Sequence, residues 1–433
     1  MTMVASSVVM KNTTSLILCL TFAAIIATAS AATRKPASSG YQPPPKINRV
    51  GGDPAPIKAP PRRPLSEWAV SPQEGKLAPF LQERPLTKTK LFDGGRFPSV
   101  IVAANGTVVA TWGNKDYHTR RSPDGGSTWE KAILVDPSCI SGGGAIVDEI
   151  TGDLLVFTEA KHPPTDDQRL YRSRDAGKTW QRDKDFVLHA LHRRTPGVIP
   201  SLHMDENGIT LRHGPRPGRL IRSTGNFMGA TISGGPADTF ANAIYSDDGG
   251  KTWDTSTPFP AFGTNEGAVE ELSDGRILYI SRRHLATDGL DHHWKHMAWS
   301  HDGGSTWRDL RVSKVLPDGN SNSRYGLMHG LIRLPVKGRD ILVFSNIESN
   351  KGRERGTLWT SFDGGETWPV KRLIDAGRFA YSSLTAGRPG TPSEGWIYLH
   401  YENYRGSIMA RFDLAWLLQG EATGDGKVPG WAQ

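Results

Sequence analysis

The sequence predicts an all-β protein, a six-bladed β-propeller, and three observations carry that prediction. The pattern Ser-x-Asp-x-Gly-x-Thr-Trp occurs five times, at Ser122–Trp129, Ser173–Trp180, Ser246–Trp253, Ser300–Trp307 and Ser361–Trp368. Successive copies start 51, 73, 54 and 61 residues apart, the spacing of a repeated supersecondary unit. Between the copies lie short apolar or alternating runs such as DLLVFTEA and GRILYIS, which read as strands. Repeated small sheets set around an axis leave only short, protected edges, and that is a propeller.

Taken from the N-terminus, residues 1–31 read as a secretory signal. Lys11 precedes the apolar stretch SLILCLTFAAIIA, which ends at Ala29-Ser30-Ala31, and the run is too short for a membrane anchor. The expected location is therefore secreted or periplasmic, with no membrane span in the mature chain. Residues 32–75 form a Pro-rich linker (QPPPKINRVGGDPAPIKAPPRRP) that cannot build a core and is expected to be disordered or extended. Residues 76–433 form the propeller domain. Each Asp-box is a turn between two strands: glycine supplies positive φ, and the aspartate binds nearby backbone amides. The box tryptophan opens the following strand and is expected to pack into its own sheet. The box aspartates are thus turn stabilisers, not catalysts. A sixth blade lacks a box and uses SSLTAG, GWIYLHYEN and SIMARFDLAW, and a strand before Arg96 closes the ring.

Composition narrows the partners. The net charge of +8 suits an anionic substrate, but no dense Lys/Arg run or nucleic-acid motif is present, so nucleic acid is not an expected partner. Of the two cysteines, Cys19 lies in the signal, so the mature chain, left with Cys139 alone, has no internal disulfide. His284, His292, His293 and His296 cluster in HLATDGLDHHWKH, but their spacing fits no zinc motif and reads better as a polar loop over a site. Phosphate-binding loops, dinucleotide fingerprints and serine elbows are missing from the contexts they require.

Four unrepeated segments carry chemistry: Arg96-Phe97-Pro98-Ser99 ahead of the first box; NEGAVEELSDG from Asn265, followed by Arg282; FSNIESNKGRERGT before the last box; and Ala380-Tyr381-Ser382-Ser383-Leu384, followed by LHYEN. With these the chain, over about residues 90–418, resembles the sialidase (neuraminidase) family of six-bladed propellers. The resemblance implies a retaining exo-α-sialidase that acts on a sialylated or other anionic glycan and needs neither cofactor nor metal.

Chemistry accounts for the residue types. Sialic acid carries a carboxylate on its anomeric carbon, and planar guanidinium forks neutralise carboxylates best. By resemblance Arg96 and Arg282 are two of three clamping arginines. The third is Arg353, with Arg355 as a nearby rival. A charged nucleophile would meet the substrate carboxylate, whereas a neutral phenol does not. With an ordinary pKa near 10, it needs a base. Sialidases with a tyrosine nucleophile are a recognised exception to the two-carboxylate rule. Tyr381 matches the nucleophile, Glu266 its base, and Glu402 the residue that orients the first arginine. The stretch WGNKDYHTRRSPDGG is shorter than the family's loop and holds one acidic residue before the box, Asp116, the candidate acid/base. These residues are expected to meet at one mouth of the propeller, with the box aspartates away from it. The competing readings are an Asp-box hydrolase acting on another glycan and a non-catalytic propeller that binds glycans or proteins.

Overall fold

The computed structural model describes residues 63–433 apart from 142, 162–164, 166, 185–186, 189–197, 203–204, 229–238, 262, 284–292 and 319–325. The expected signal (1–31) and most of the linker lie outside the described residues, as do His284 and His292.

Six sheets follow one another along the described chain, antiparallel except where Val187–Leu188 pairs parallel with Thr252–Thr255 at the edge of the third. Blade one comprises Ser99–Val102, Val108–Trp112, Tyr117–Ser122 and Ile133–Asp136, running from the axis outward. Blade two is built on Leu154–Glu159, Gln168–Ser173 and Gln181–Asp183, with Ile140–Ser141 and Ile146–Val147 innermost. In blade three Leu220–Met228, Thr239–Ser246 and Thr252–Thr255 stand outside the short pieces Val198–Ser201 and Ile209–Thr210. Blade four holds Thr264–Glu271, Ile277–Arg283, Trp294–Ser300 and Arg308–Pro317. Blade five holds Gly330–Arg333, Leu342–Ile347, Glu354–Ser361 and Val370–Arg378. Blade six takes Ser382–Ala386, Ile397–Asn403 and Gly406–Phe412 from the end of the chain, and Thr87–Asp93 from its beginning as the outermost strand. The N-terminal strand therefore closes the ring as the sequence leads one to expect.

The boxes behave as turns. In the fourth, the Asp302 Oδ1 atom accepts the backbone N–H groups of Ser305 and Thr306, both at 3.0 Å, and the Ser300 hydroxyl at 2.8 Å. Its Oδ2 atom accepts the Thr306 hydroxyl at 2.7 Å, and Gly303 and Gly304 take positive φ of 74° and 83°. Asp124, Asp175, Asp248 and Asp363 repeat the arrangement. Burial would raise the Asp124 carboxyl, but hydrogen bonds from Thr128, Ser122 and Ser127 hold it at about 2.

Trp307 and Trp368 pack edge-on against Tyr279 and Phe344 of their own sheets, as expected, but box tryptophans also reach the blade before. Trp180 donates to the Thr119 hydroxyl of blade one at 3.2 Å, and Trp307 donates to the Ser256 hydroxyl beside blade three at 2.9 Å. Trp253 packs edge-on against Phe157 of blade two. These three tryptophans thus also bridge to the preceding blade, because the residue after the turn enters an outermost strand whose core side faces that neighbour. Residues 63–75, expected within the linker, lie on the propeller: Trp68 and Val70 are buried, and Val70 donates its N–H to the Glu149 carbonyl at 3.1 Å. Glu149 lines an axial cavity of about 120 Å³, where it pairs with Arg212 and Arg388.

Strand direction fixes which end carries what. Every innermost strand starts at one end, which also receives the turns between second and third strands. The boxes, between third and fourth strands, lie at the opposite end.

Candidate active site

Tyr381 immediately precedes the innermost strand of blade six, and Glu266 sits near the start of that of blade four. The pairing of Thr264–Glu271 with Ile277–Arg283 skips a residue between Asn265 and Gly267, so Glu266 is the extra residue of a β-bulge, at φ 42°. A bulge re-aims a side chain that regular alternation would send elsewhere. Here it aims the carboxylate so that its Oε1 atom accepts the Tyr381 hydroxyl at 2.6 Å. Its Oε2 atom accepts Arg282 Nη1 at 2.5 Å, from the end of the neighbouring strand. All three side chains are almost wholly buried.

Arg96 enters from the segment before blade one. Its Nε and Nη2 atoms donate to the two Glu402 oxygens at 3.2 and 3.3 Å, and the Phe97 N–H donates to the same carboxylate at 3.1 Å. Phe97 takes φ 70°, a backbone turn that this carboxylate supports. The Arg96 guanidinium stands 4.8 Å from the centre of the Tyr381 ring, and Arg353 stands 5.0 Å from it. Arg353 occupies the loop between the second and third strands of blade five and anchors through its carbonyl to the Phe379 N–H. Arg355, the rival, is exposed and has no described contact with Tyr381.

The charges do not cancel. Glu266 offsets Arg282 and Glu402 offsets Arg96, while no described carboxylate pairs with Arg353. Among the described residues the pocket keeps one guanidinium without a carboxylate partner, the balance that an anionic ligand would complete. Burial and the adjacent Glu266 charge push the Tyr381 phenol up to about 12, against the pull of Arg282, Arg353 and Arg96. The phenol is neutral at physiological pH, with a proton acceptor already in contact.

Asp116 lies on the turn between the second and third strands of blade one, at the same end as Arg96. Its side chain is 53% exposed, with an Oδ1 atom 3.6 Å from His118 Nδ1. It makes no described hydrogen bond or ion pair with Tyr381, Glu266 or the arginines. The described members of the histidine cluster are used structurally: His296 is fully buried with its Nδ1 atom 3.0 Å from the Trp294 carbonyl, and the His293 carbonyl accepts the Asp318 N–H.

Behind Arg282 stands a pair that the motifs missed. Lys295 Nζ donates to Asp318 Oδ1 at 2.5 Å and to the Leu327 carbonyl at 2.9 Å, with both side chains fully buried. One signal was available. In WKHMAWS, Lys295 shares its strand face with Met297 and Trp299, and a lysine on a core face requires a partner. Asp205, beneath Glu266, lies in an irregular segment without any motif.

An all-β ring of Asp-box blades with a buried tyrosine–glutamate pair among arginines at one mouth defines a sialidase-like propeller. The chain belongs to the BNR repeat-like domain family, whose model matches residues 113–392. It is 30% identical over 360 residues to a sialidase of Micromonospora viridifaciens, covering 75% of this chain and 52% of that protein. It is 26% identical over 335 residues to a sialidase of Bacteroides fragilis, covering 67% of this chain and 57% of that one. The chain thus spans little more than half the length of these curated relatives. In fold it resembles the Hadza microbial sialidase Hz136 (TM-score 0.56, 22% identity, 74% of this chain and 66% of that one). It likewise resembles the intramolecular trans-sialidase of Ruminococcus gnavus (TM-score 0.57, 16% identity, 76% and 97%). No helix among the described residues is long and apolar enough to cross a membrane.

Proposed function

We propose that the protein is a retaining exo-α-sialidase that releases terminal sialic acid from glycoconjugates. The observation that carries this reading is the buried Tyr381–Glu266 contact of 2.6 Å, enclosed by Arg96, Arg282 and Arg353. A neutral phenol in contact with a carboxylate, set among guanidiniums of which one lacks a described carboxylate partner, is the arrangement required to attack a carbon that bears its own carboxylate.

The substrate carboxylate lies on the three guanidiniums. The Tyr381 oxygen attacks the anomeric carbon as Glu266 takes the phenolic proton. Asp116 gives its proton to the departing glycosidic oxygen, and the sugar is left covalently bound to Tyr381. Asp116 then takes a proton from water, whose oxygen attacks the same carbon from the opposite side. Glu266 returns its proton to the leaving Tyr381 oxygen. Two inversions give net retention. The residues required are the chain's own, and the mechanism uses no cofactor. The signal-like N-terminus supports an extracytoplasmic site of action.

The test is hydrolysis of fluorogenic and natural sialosides in α2-3, α2-6 and α2-8 linkage by wild type and by Tyr381→Phe. Wild-type turnover with loss of about 10²-fold or more in the variant supports the reading. Inactivity of the wild type on every linkage sinks the substrate assignment and favours a different glycan or a binding role. Full activity of Tyr381→Phe sinks the nucleophile.

A further inference from the structure

Glu266 reaches Tyr381 only because it is the extra residue of a bulge with positive φ, a conformation that needs support on both sides. On one side the Glu266 N–H donates to Asn265 Oδ1 at 2.7 Å. On the other, the Gly267 N–H leaves its own sheet and donates to Asp205 Oδ1 of blade three at 2.8 Å. The Gly267 carbonyl accepts the Ser223 hydroxyl at 2.6 Å and the Glu206 N–H at 3.0 Å. A Cβ on Gly267 would stand 2.3 Å from the Tyr279 ring, so the peptide is wedged as well as bonded. Of these supports, the Asp205 side chain is the one that reaches across from another blade to satisfy the N–H directly after the base.

We propose that Asp205 is a positioning residue that holds the bulge in the geometry aiming Glu266 at Tyr381, an inference that rests on reading Glu266 as the base. Asp205 touches no reacting atom and acts through the backbone of its neighbour. It is completely buried, which makes the N–H contact costly to lose. Burial pushes its carboxyl up to about 7, against Arg222 and the Gly267 N–H, and the nearby Glu266 charge adds to the rise. Asp205 also offsets the fully buried Arg222, a folding contribution that an Asn and a Leu variant lose alike, so the difference between those two variants reports the acceptor alone.

Three substitutions separate positioning from folding. Asp205→Asn keeps an oxygen acceptor, Asp205→Leu keeps the shape without one, and Asp205→Ala keeps neither. With a fluorogenic sialoside, the Leu and Ala variants are expected to lose about 10- to 100-fold in kcat, the scale of a catalytic group displaced by about 1 Å. Their KM should stay within about threefold of wild type, because Arg96 and Arg353 are held elsewhere, and the Asn variant should stay within about threefold in both. Wild-type kcat in Asp205→Leu, or equal damage in Asn and Leu, overturns the proposal. Should Asp205→Ala fail to fold, the Asn and Leu pair decides alone. Crystal structures give an activity-independent readout: the Tyr381–Glu266 contact is expected to be intact in Asp205→Asn and broken in Asp205→Leu, and an intact contact in Leu overturns the idea. If the wild type hydrolyses no sialoside, the functional reading falls while the crystallographic outcome still decides the role of Asp205.

Discussion

The Tyr381 hydroxyl donates to the Glu266 carboxylate across 115 residues of sequence, joining the starting ends of the inner strands of blades six and four. The other oxygen of that carboxylate is held by Arg282, so its orientation is fixed from both ends.

Replacing Glu266 by Gln keeps a hydrogen-bond acceptor but removes the base. kcat on sialosides should fall by about 10²–10⁴-fold, the usual contribution of a positioned base. The lost negative charge also removes one cause of the raised phenol, so the Tyr381 titration should move below its value of about 12. Ultraviolet difference titration measures that shift, and no downward movement would contradict the coupling.

Glu402 acts on binding. Its carboxylate takes both the Arg96 fork and the Phe97 N–H. Glu402→Gln should raise KM, or the Kd of a sialic acid analogue, by about 10-fold, as loss of one charge-assisted contact does. kcat should change by less. Steady-state kinetics with calorimetric binding tests this, and a purely kcat effect would refute it.

The boxes should be dispensable for chemistry. Asp302→Ala removes the acceptor for two backbone amides and two hydroxyls at the far end from Tyr381. A stability loss of about 1–2 kcal/mol is expected, comparable to a lost helix cap. Thermal melts should show it, with kcat unchanged within about twofold; a large kcat loss in a folded variant would contradict the assignment of ends.

Stability should fall as pH rises through neutrality. Burial raises the Glu159 carboxyl to about 8 and the Asp205 carboxyl to about 7. Between the ordinary carboxylate range and these values the folded protein holds protons that the unfolded chain has released. Stability is therefore full below about pH 4 and declines as pH climbs through 7 to 8. The side chain of Glu74 works the other way. Its carboxyl is lowered to about 2 by His213 and Arg333 despite burial, and its contribution is lost as pH falls from about 4.5 toward 2. A melting temperature that peaks at about pH 4.5 is expected. Glu159→Gln should flatten the decline above it, and an unchanged slope in that variant would count against the buried-carboxylate explanation.

What was legible in the sequence divides by physical range. The Asp-boxes are local chemistry: glycine φ and aspartate–amide bonds close within five residues, so the turns could be read directly. Arg96, Arg282, Glu266, Tyr381 and Glu402 stood in segments distinctive enough to compare with a family, and the structure gathers them at one mouth. The choice between Arg353 and Arg355 needed three dimensions, because the two flank the start of one strand and only the backbone path places one guanidinium over the tyrosine ring. Asp205 and the Lys295–Asp318 pair were hidden for a related reason. Their partners are backbone amides and side chains from other strands or blades, and such pairings leave no spacing in the chain. The box tryptophans were legible in part: Trp307 and Trp368 do pack on their own sheets, but alternation along a strand does not reveal that a neighbouring sheet faces them too.

The N-terminal strand Thr87–Asp93 lies against Gly406–Phe412, and Arg96 follows it directly, opposite Glu402. A nascent chain emerging from the ribosome therefore holds Arg96 for hundreds of residues before the carboxylate that orients it exists. Contacts of such wide sequence separation form late and slowly. Binding competence becomes a report on completed synthesis: a truncated product lacking its last strands could contain five finished boxes and still present no assembled carboxylate clamp.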